Sequence, residues 1–275
     1  MKRSLVIAMA AVLAVTLAGV ALAGRSITLK GSDTLLLLGQ RWAEEYMKAN
    51  PGTVIQVTGG GSGVGIAALI NGSTDICQAS RAMKASEKQK LRDRYYSTGV
   101  EIPVAKDGVT LYVSEKNPVS ELTIEQIRAI YTGAITNWSK VGGPDAGIVL
   151  YGRENSSGTY AFFREVALKN ADYSASMQSL PGTSAVVNAV SKDVNGIGYG
   201  GAAYAKGVKE IAIKTAKGSY KPTSENVKSG LYPLSRDLYW YLKGKPSGEI
   251  KKLVDWALSP AGQEIVTKVG YFTIK

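Results

Sequence analysis

Apolar positions along this chain switch repeatedly between the period of a strand and the period of a helix. Ser26 to Lys30 is a short β-like run, Gly31-Ser32-Asp33-Thr34 turns the chain, and Leu35, Leu38, Trp42 and Tyr46 then share one helical face. Asn50-Pro51-Gly52 stops that helix, and Thr53 to Thr58 alternates as a second strand ahead of five residues, Gly59 to Gly63, that include four glycines. Ile66, Leu69 and Ile70 lie on the next helical face, which Asn71-Gly72 ends. Asp75 to Arg81 reads as another strand running into a polar turn, followed by a polar helix containing Glu87 to Tyr95.

Ile102 to Val113 is a long apolar run broken by Lys106-Asp107-Gly108, where a crossing between two lobes is expected. Beyond it, Thr123 and Gln126 form a capping box ahead of Ile127, Ile130 and Tyr131, stopped by Gly133. Ile148 to Tyr151 is a strand that delivers Gly152 to Thr159, and Phe162, Phe163, Val166 and Ala167 continue as a helix. Gly182 to Val190 predicts a short helix and Gly196 to Gly201 a glycine-rich strand and turn. Leu231 to Leu242 reads as a strand containing Pro233, and Ile250, Leu253, Val254 and Leu258 as a helix ending near Ser259-Pro260.

Strands alternating with helices predict an α/β protein with parallel or mixed sheets. No repeat or linker divides it, so two lobes joined by crossing hinge strands are expected. The first lobe would take residues 24–108 and 231–275, the second 109–230.

The N-terminus changes the picture of where such a protein works. Met1-Lys2-Arg3 precedes an apolar run from Leu5 to Leu22 that ends in Ala21-Leu22-Ala23, the form of a secretory signal cleaved after Ala23. An uncleaved membrane anchor is the competing reading of so long a run. No cysteine follows it, which argues against a lipid anchor and for a periplasmic location. Cys77 is the only cysteine and histidine is absent, which removes disulfides, His-based triads and ordinary His-containing zinc sites together. Neither a metal nor a cofactor is expected, because Gly196 to Gly201 lacks the Gly-x-Gly-x-x-Gly spacing that opens a helix. The formal charge of +11, which becomes +9 without Lys2 and Arg3, favours anionic partners. Nucleic acid is disfavoured because the basic residues form no dense run with interleaved aromatics.

Four segments share one design, a strand end followed by Ser, Thr and Gly at the start of a helix or loop. They hold Ser32 and Thr34, Ser62 and Gly63, Ser80 and Arg81, and Arg153 with Ser157, Gly158 and Thr159. Free N–H groups at helix starts, rotatable hydroxyls and a planar guanidinium are what a dehydrated oxyanion needs. Each segment alone is also an ordinary helix cap.

Taken together, these segments resemble the PstS family, the phosphate-binding proteins of the high-affinity ABC phosphate transporter. Gly31-Ser32-Asp33-Thr34-Leu35, the turn at Ser62, Ile135-Thr136-Asn137-Trp138, Gly142-Gly143-Pro144, Arg153 to Thr159, Gly196-Ile197-Gly198-Tyr199 and Tyr232-Pro233-Leu234 match family segments in family order. The resemblance implies a bilobal, type II periplasmic-binding-protein fold. It also implies phosphate contacts at Thr34, the Leu35 amide, Ser62, Arg153, Ser157, Gly158 and Thr159. Ser32, Ser80 and Arg81 join them as candidates from the residue pattern. The chain departs from the family at Ser80-Arg81, where an aspartate often accepts the phosphate proton. Asp33 is a substitute acceptor or an N-cap. It departs again at Asn155, where an aspartate often holds the arginine, so other hydrogen bonds are expected to hold Arg153.

The function implied is capture of phosphate between closing lobes and delivery by a monomer to a membrane ABC permease. Sulfate or molybdate is the alternative ligand, since Arg81 and hydroxyls discriminate against them less than a carboxylate would. A phosphoester hydrolase is the remote alternative. Gly61-Ser62-Gly63 is no nucleophile elbow, and no histidine is available as a base.

Overall fold

In the computed structural model, residues 26–274 are described, and the export signal read at 1–23 lies outside them. The first lobe is built from β1 (Ile27–Gly31), α1 (Leu36–Ala49), β2 (Ile55–Thr58), α2 (Ser62–Asn71), β3 (Ile76–Ala79) and α3 (Ala85–Tyr95). β4 (Val100–Val113) then carries the chain into β5 (Glu121–Thr123), α4 (Ile124–Tyr131), β6 (Val149–Arg153), α5 (Gly158–Val166) and β7 (Gln178–Leu180). α6 (Thr183–Lys192), β8 (Gly196–Gly201), β9 (Lys209–Thr215), β10 (Gly218–Tyr220) and α7 (Ser224–Lys228) follow. The chain returns through β11 (Ser235–Leu242) to α8 (Gly248–Leu258) and α9 (Pro260–Val269).

The strands line up as β2-β1-β3-β11-β4-β8-β6-β7, with β9 joining β4 to β5 and β10. β1 pairs in parallel with β2 and β3, whereas β11 runs antiparallel to β3 and β4. This is the mixed α/β, bilobal architecture that the alternation of periods predicts.

β4 is the element that makes two lobes from one sheet. Its first part pairs with β11, as far as Gly108 against Ser235, and from Val109 onward it pairs with β8. Lys106-Asp107-Gly108 breaks the apolar run but not the strand. Lys106 reaches Asp237 at 2.7 Å and Asp107 reaches Arg236, so both polar side chains find partners on the neighbouring strand and the ladder continues. β11 starts only at Ser235. Pro233, which has no N–H for the ladder, precedes it rather than interrupting it.

Ser259-Pro260 also proves to be a start as well as a stop. Ser259 closes α8, and its hydroxyl then accepts from Gly262 N as the N-cap of α9, with Pro260 in the first turn. Each lobe has its own core. In the first, Trp42 on α1 meets Trp240 edge-to-face at 5.1 Å and donates its Nε1–H to Gly262 O of α9. In the second, Phe163 stacks on Tyr199 with centroids 4.1 Å apart.

Candidate functional site

The ends of β1 and β3, the start of α2 and the loop from β6 into α5 meet where the lobes face each other. Two glycines allow it. Gly61 has φ 96°, a left-handed conformation that favours glycine, and a Cβ there would lie 2.6 Å from the Ser156 carbonyl of the opposite lobe. At Gly158 a Cβ would collide with Ser62 Oγ and lie 2.6 Å from Ser80 Oγ. The lobes are in contact here, and Gly63 N–H donates to Ser156 O at 2.9 Å across the interface.

The hydroxyls of Ser32, Thr34, Ser62, Ser80 and Thr159 form one buried group. Ser32 Oγ donates to Ser80 Oγ at 2.9 Å, which lies 3.3 Å from Ser62 Oγ. The Ser80 amide donates to Ser62 Oγ at 3.0 Å. Thr34 and Thr159, on opposite lobes, share a hydrogen bond of 2.9 Å. Ser157 caps α5, its Oγ accepting from the amides of Thr159 and Tyr160. Its hydroxyl therefore sets the helix start and occupies the Thr159 and Tyr160 amides, leaving the Gly158 N–H as the first-turn donor without an acceptor among the described residues.

Two buried arginines flank this group. Arg153 donates through Nη1 to Thr183 Oγ1 at 2.9 Å and through Nη2 to Asp33 Oδ2 at 2.6 Å, while its buried Nε finds no acceptor among the described residues. Asp33 caps no helix with its side chain, since its Oδ1 accepts from Gly60 N–H, and the hydrogen bonds that hold Arg153 include one to the Asp33 carboxylate. Tyr204 also reaches Asp33, donating to its carbonyl at 2.6 Å. Burial pushes the Tyr204 hydroxyl up to about 12, so it stays a donor.

Arg236 is the second arginine, and the sequence reading missed it. It donates through Nε and Nη2 to Asp107 Oδ2 at 3.1 and 2.8 Å, and through Nη1 to Ser80 O at 2.9 Å. Nη2 also reaches Thr34 Oγ1 at 3.3 Å and Thr159 Oγ1 at 2.9 Å. The guanidinium lies 5.1 Å from the Phe162 ring. Burial depresses its pKa, and the Asp107 carboxylate opposes that shift. The only sequence signal for either residue was an Asp-Gly and an Arg inside apolar strand runs.

Two candidates sit elsewhere. Arg81 turns away from the hydroxyl group and forms a two-pronged bond to Glu87 at 2.7 and 2.8 Å, with a third to Ala82 O. Glu87, which also accepts the Lys84 amide at the start of α3, offers the stronger local site. The Leu35 side chain is in the core, and its amide donates to Ser32 O at 3.0 Å.

Residues 18–261 match the model of a PBP superfamily domain. The chain is 34% identical over 263 residues to the phosphate-binding protein PstS of Pseudomonas aeruginosa, covering 89% of this chain and 81% of that protein. It is 36% identical over 224 residues to the PstS of Staphylococcus haemolyticus, covering 78% and 70%. Among solved structures, a putative phosphate ABC transporter substrate-binding protein from Clostridium perfringens with bound phosphate superposes with a TM-score of 0.84. That match has 32% identity and covers 91% of this chain and 100% of the other.

Proposed function

The chain belongs to the PstS phosphate-binding family of the PBP superfamily, and on that premise we propose that it captures inorganic phosphate between its lobes for delivery to a membrane ABC permease. The observation that carries the reading is the buried Arg153 Nε, a charged donor without an acceptor, beside five buried hydroxyls contributed by both lobes. A buried donor left unpaired costs about 1–3 kcal/mol, so such a cluster favours a guest that brings acceptors. Phosphate supplies them on four oxygens.

The hydroxyls can bond one another, as Thr34 and Thr159 do. A phosphate entering as the lobes part would take their hydrogen bonds, along with the Gly158 amide at the start of α5 and the two guanidiniums. The lobes then close on it because only the closed form offers both sets of donors. Ser32, Thr34, Ser62, Ser80, Arg153, Ser157, Gly158 and Thr159 keep their roles in this reading, Arg236 replaces Arg81, and the Leu35 amide is a secondary contact.

Asp107 fits the role of proton acceptor. Its Oδ2 is occupied by Arg236, but among the described residues no donor reaches Oδ1, and it lies one guanidinium away from Thr34 and Thr159. Hydrogen phosphate can donate to it; sulfate cannot and would be repelled. Export to the periplasm with cleavage after Ala23, and action as a monomer, complete the reading.

The test is calorimetric titration of the mature chain, freed of ligand by unfolding and refolding, with phosphate, arsenate, sulfate and molybdate. Tight binding of phosphate and arsenate with sulfate ignored is the expected result. Preference for sulfate or molybdate, or no binding, would overturn it.

A further inference from the structure

We propose that the pole of the first lobe remote from the cleft is a docking surface for anionic lipid headgroups, built by α3 and the chain just after β11. Tyr96 marks it. Among the described residues it is the most exposed large hydrophobic one, at 95%, and it adopts φ 54° at the end of α3, a left-handed position where glycine or asparagine is usual. An aromatic ring at such a place is unfavourable both for its backbone and for its exposure.

The surroundings of Tyr96 are cationic. The Arg94 guanidinium and the Lys243 ammonium lie 5.7 and 5.5 Å from the ring of neighbouring Tyr95, which ties the helix end to the end of β11. Between Arg81 and Tyr96 the sequence holds six basic residues against two acidic ones. Both acids are engaged, Glu87 by Arg81 and Asp93 by Gln89, and nearby Glu101 is taken by Lys88 and Tyr241. Lys84, Lys90, Arg92, Arg94, Lys243 and Lys245 have no carboxylate within ion-pair distance among the described residues. On α1, α8 and α9 of the same lobe the exposed cations do have acidic partners, as in Arg41–Glu44, Lys48–Glu44, Lys251–Asp255, Lys252–Glu249 and Lys268–Glu264.

The occupant follows from charge and shape. An exposed amphipathic ring among unpaired cations matches the headgroup layer of an anionic bilayer, where tyrosine sits at the interface and each basic side chain adds attraction. β11 runs from Arg236 in the cleft to Leu242 beside this surface, a span of roughly 20 Å at about 3.3 Å per residue, so lipid contact leaves the cleft free.

Flotation of the mature chain with vesicles of phosphatidylglycerol and phosphatidylcholine, against phosphatidylcholine alone, tests this. At least tenfold greater partition to the anionic vesicles is expected, weakening as salt rises. The combined substitution Lys90→Glu, Arg94→Glu and Lys243→Glu should abolish that preference, and Tyr96→Ser should reduce it severalfold, with the melting temperature confirming the fold. Equal partition to both vesicles would overturn the proposal, including the case in which the face serves an acidic protein. An equal loss from Lys116→Glu, Lys206→Glu and Lys217→Glu on the second lobe would also overturn it, since net charge alone would then be acting. Phosphate binding plays no part in this measurement, so the two readings stand or fall separately.

Discussion

The two arginines of the cleft are both buried, yet their counter-charges come from different places. Arg236 on β11 faces Asp107 on the adjacent strand of β4, and the two are register partners in one ladder. Arg153 on β6 finds its carboxylate, Asp33, across the interface on the other lobe. The first pair survives any lobe movement and belongs to the folded core. The second exists only when the lobes meet, and so reports closure. Similar burial and similar hydrogen-bond lengths thus conceal a structural pair and a conformational one.

Replacing each arginine should separate these roles most sharply. Arg236→Met leaves Asp107 as an uncompensated buried charge, so a loss of about 3–5 kcal/mol in folding stability is expected, together with loss of phosphate binding. Arg153→Met frees Asp33, which opening of the lobes exposes to water. Its folding loss should stay under about 1 kcal/mol while phosphate affinity falls at least a hundredfold, about 3 kcal/mol. Thermal melts beside calorimetry decide it, and equal folding losses would erase the distinction.

Smaller effects sharpen it further. Asp107→Asn should admit sulfate, cutting the preference for phosphate by at least tenfold, about 1.4 kcal/mol. Asp33→Asn keeps a partner for Gly60 N–H but removes the charge that bridges the lobes. Phosphate dissociation should speed severalfold, and small-angle scattering should show a more open ligand-free chain. Slower dissociation would mean that the carboxylate repels the anion more than it joins the lobes.

Arg81→Ala should leave phosphate affinity unchanged and lower stability by about 1 kcal/mol at pH 7. Burial works to raise the Glu87 pKa, but the Arg81 hydrogen bonds, the Lys84 amide and the charges of Arg81 and Lys84 together outweigh it and hold the carboxyl below its ordinary value of 4.5. A carboxylate lowered on folding adds stability above its unfolded pKa and loses it as pH falls through the folded value. The difference between wild type and variant in acid melts should therefore shrink below about pH 4.5.

How far the sequence could be read follows from the reach of each interaction. The helix start at Thr123 is legible because its capping box with Gln126 spans three residues, and the structure has both hydrogen bonds. The four Ser, Thr and Gly turns are legible for the same reason. Arg236 and Asp107 are 129 residues apart, and each looks like an ordinary polar interruption in a strand run; their pairing exists only once β11 lies against β4. Arg81 shows the opposite failure. The residue pattern places it beside the ligand, but a glutamate six residues on offers closer geometry. β9 went unread because Lys209 to Thr215, though alternating, stands beside no turn signal strong enough to frame it.

The unbroken course of β4 has a mechanical consequence. Its change of partners lies between Gly108 and Val109, so Asp107 and the Arg236 that faces it sit at the axle of any rotation of the lobes. Arg153 and the α5 start ride on the moving arm. An arriving anion would meet a stationary clamp first and a swinging one second, and the order of those contacts is fixed by leverage rather than by affinity.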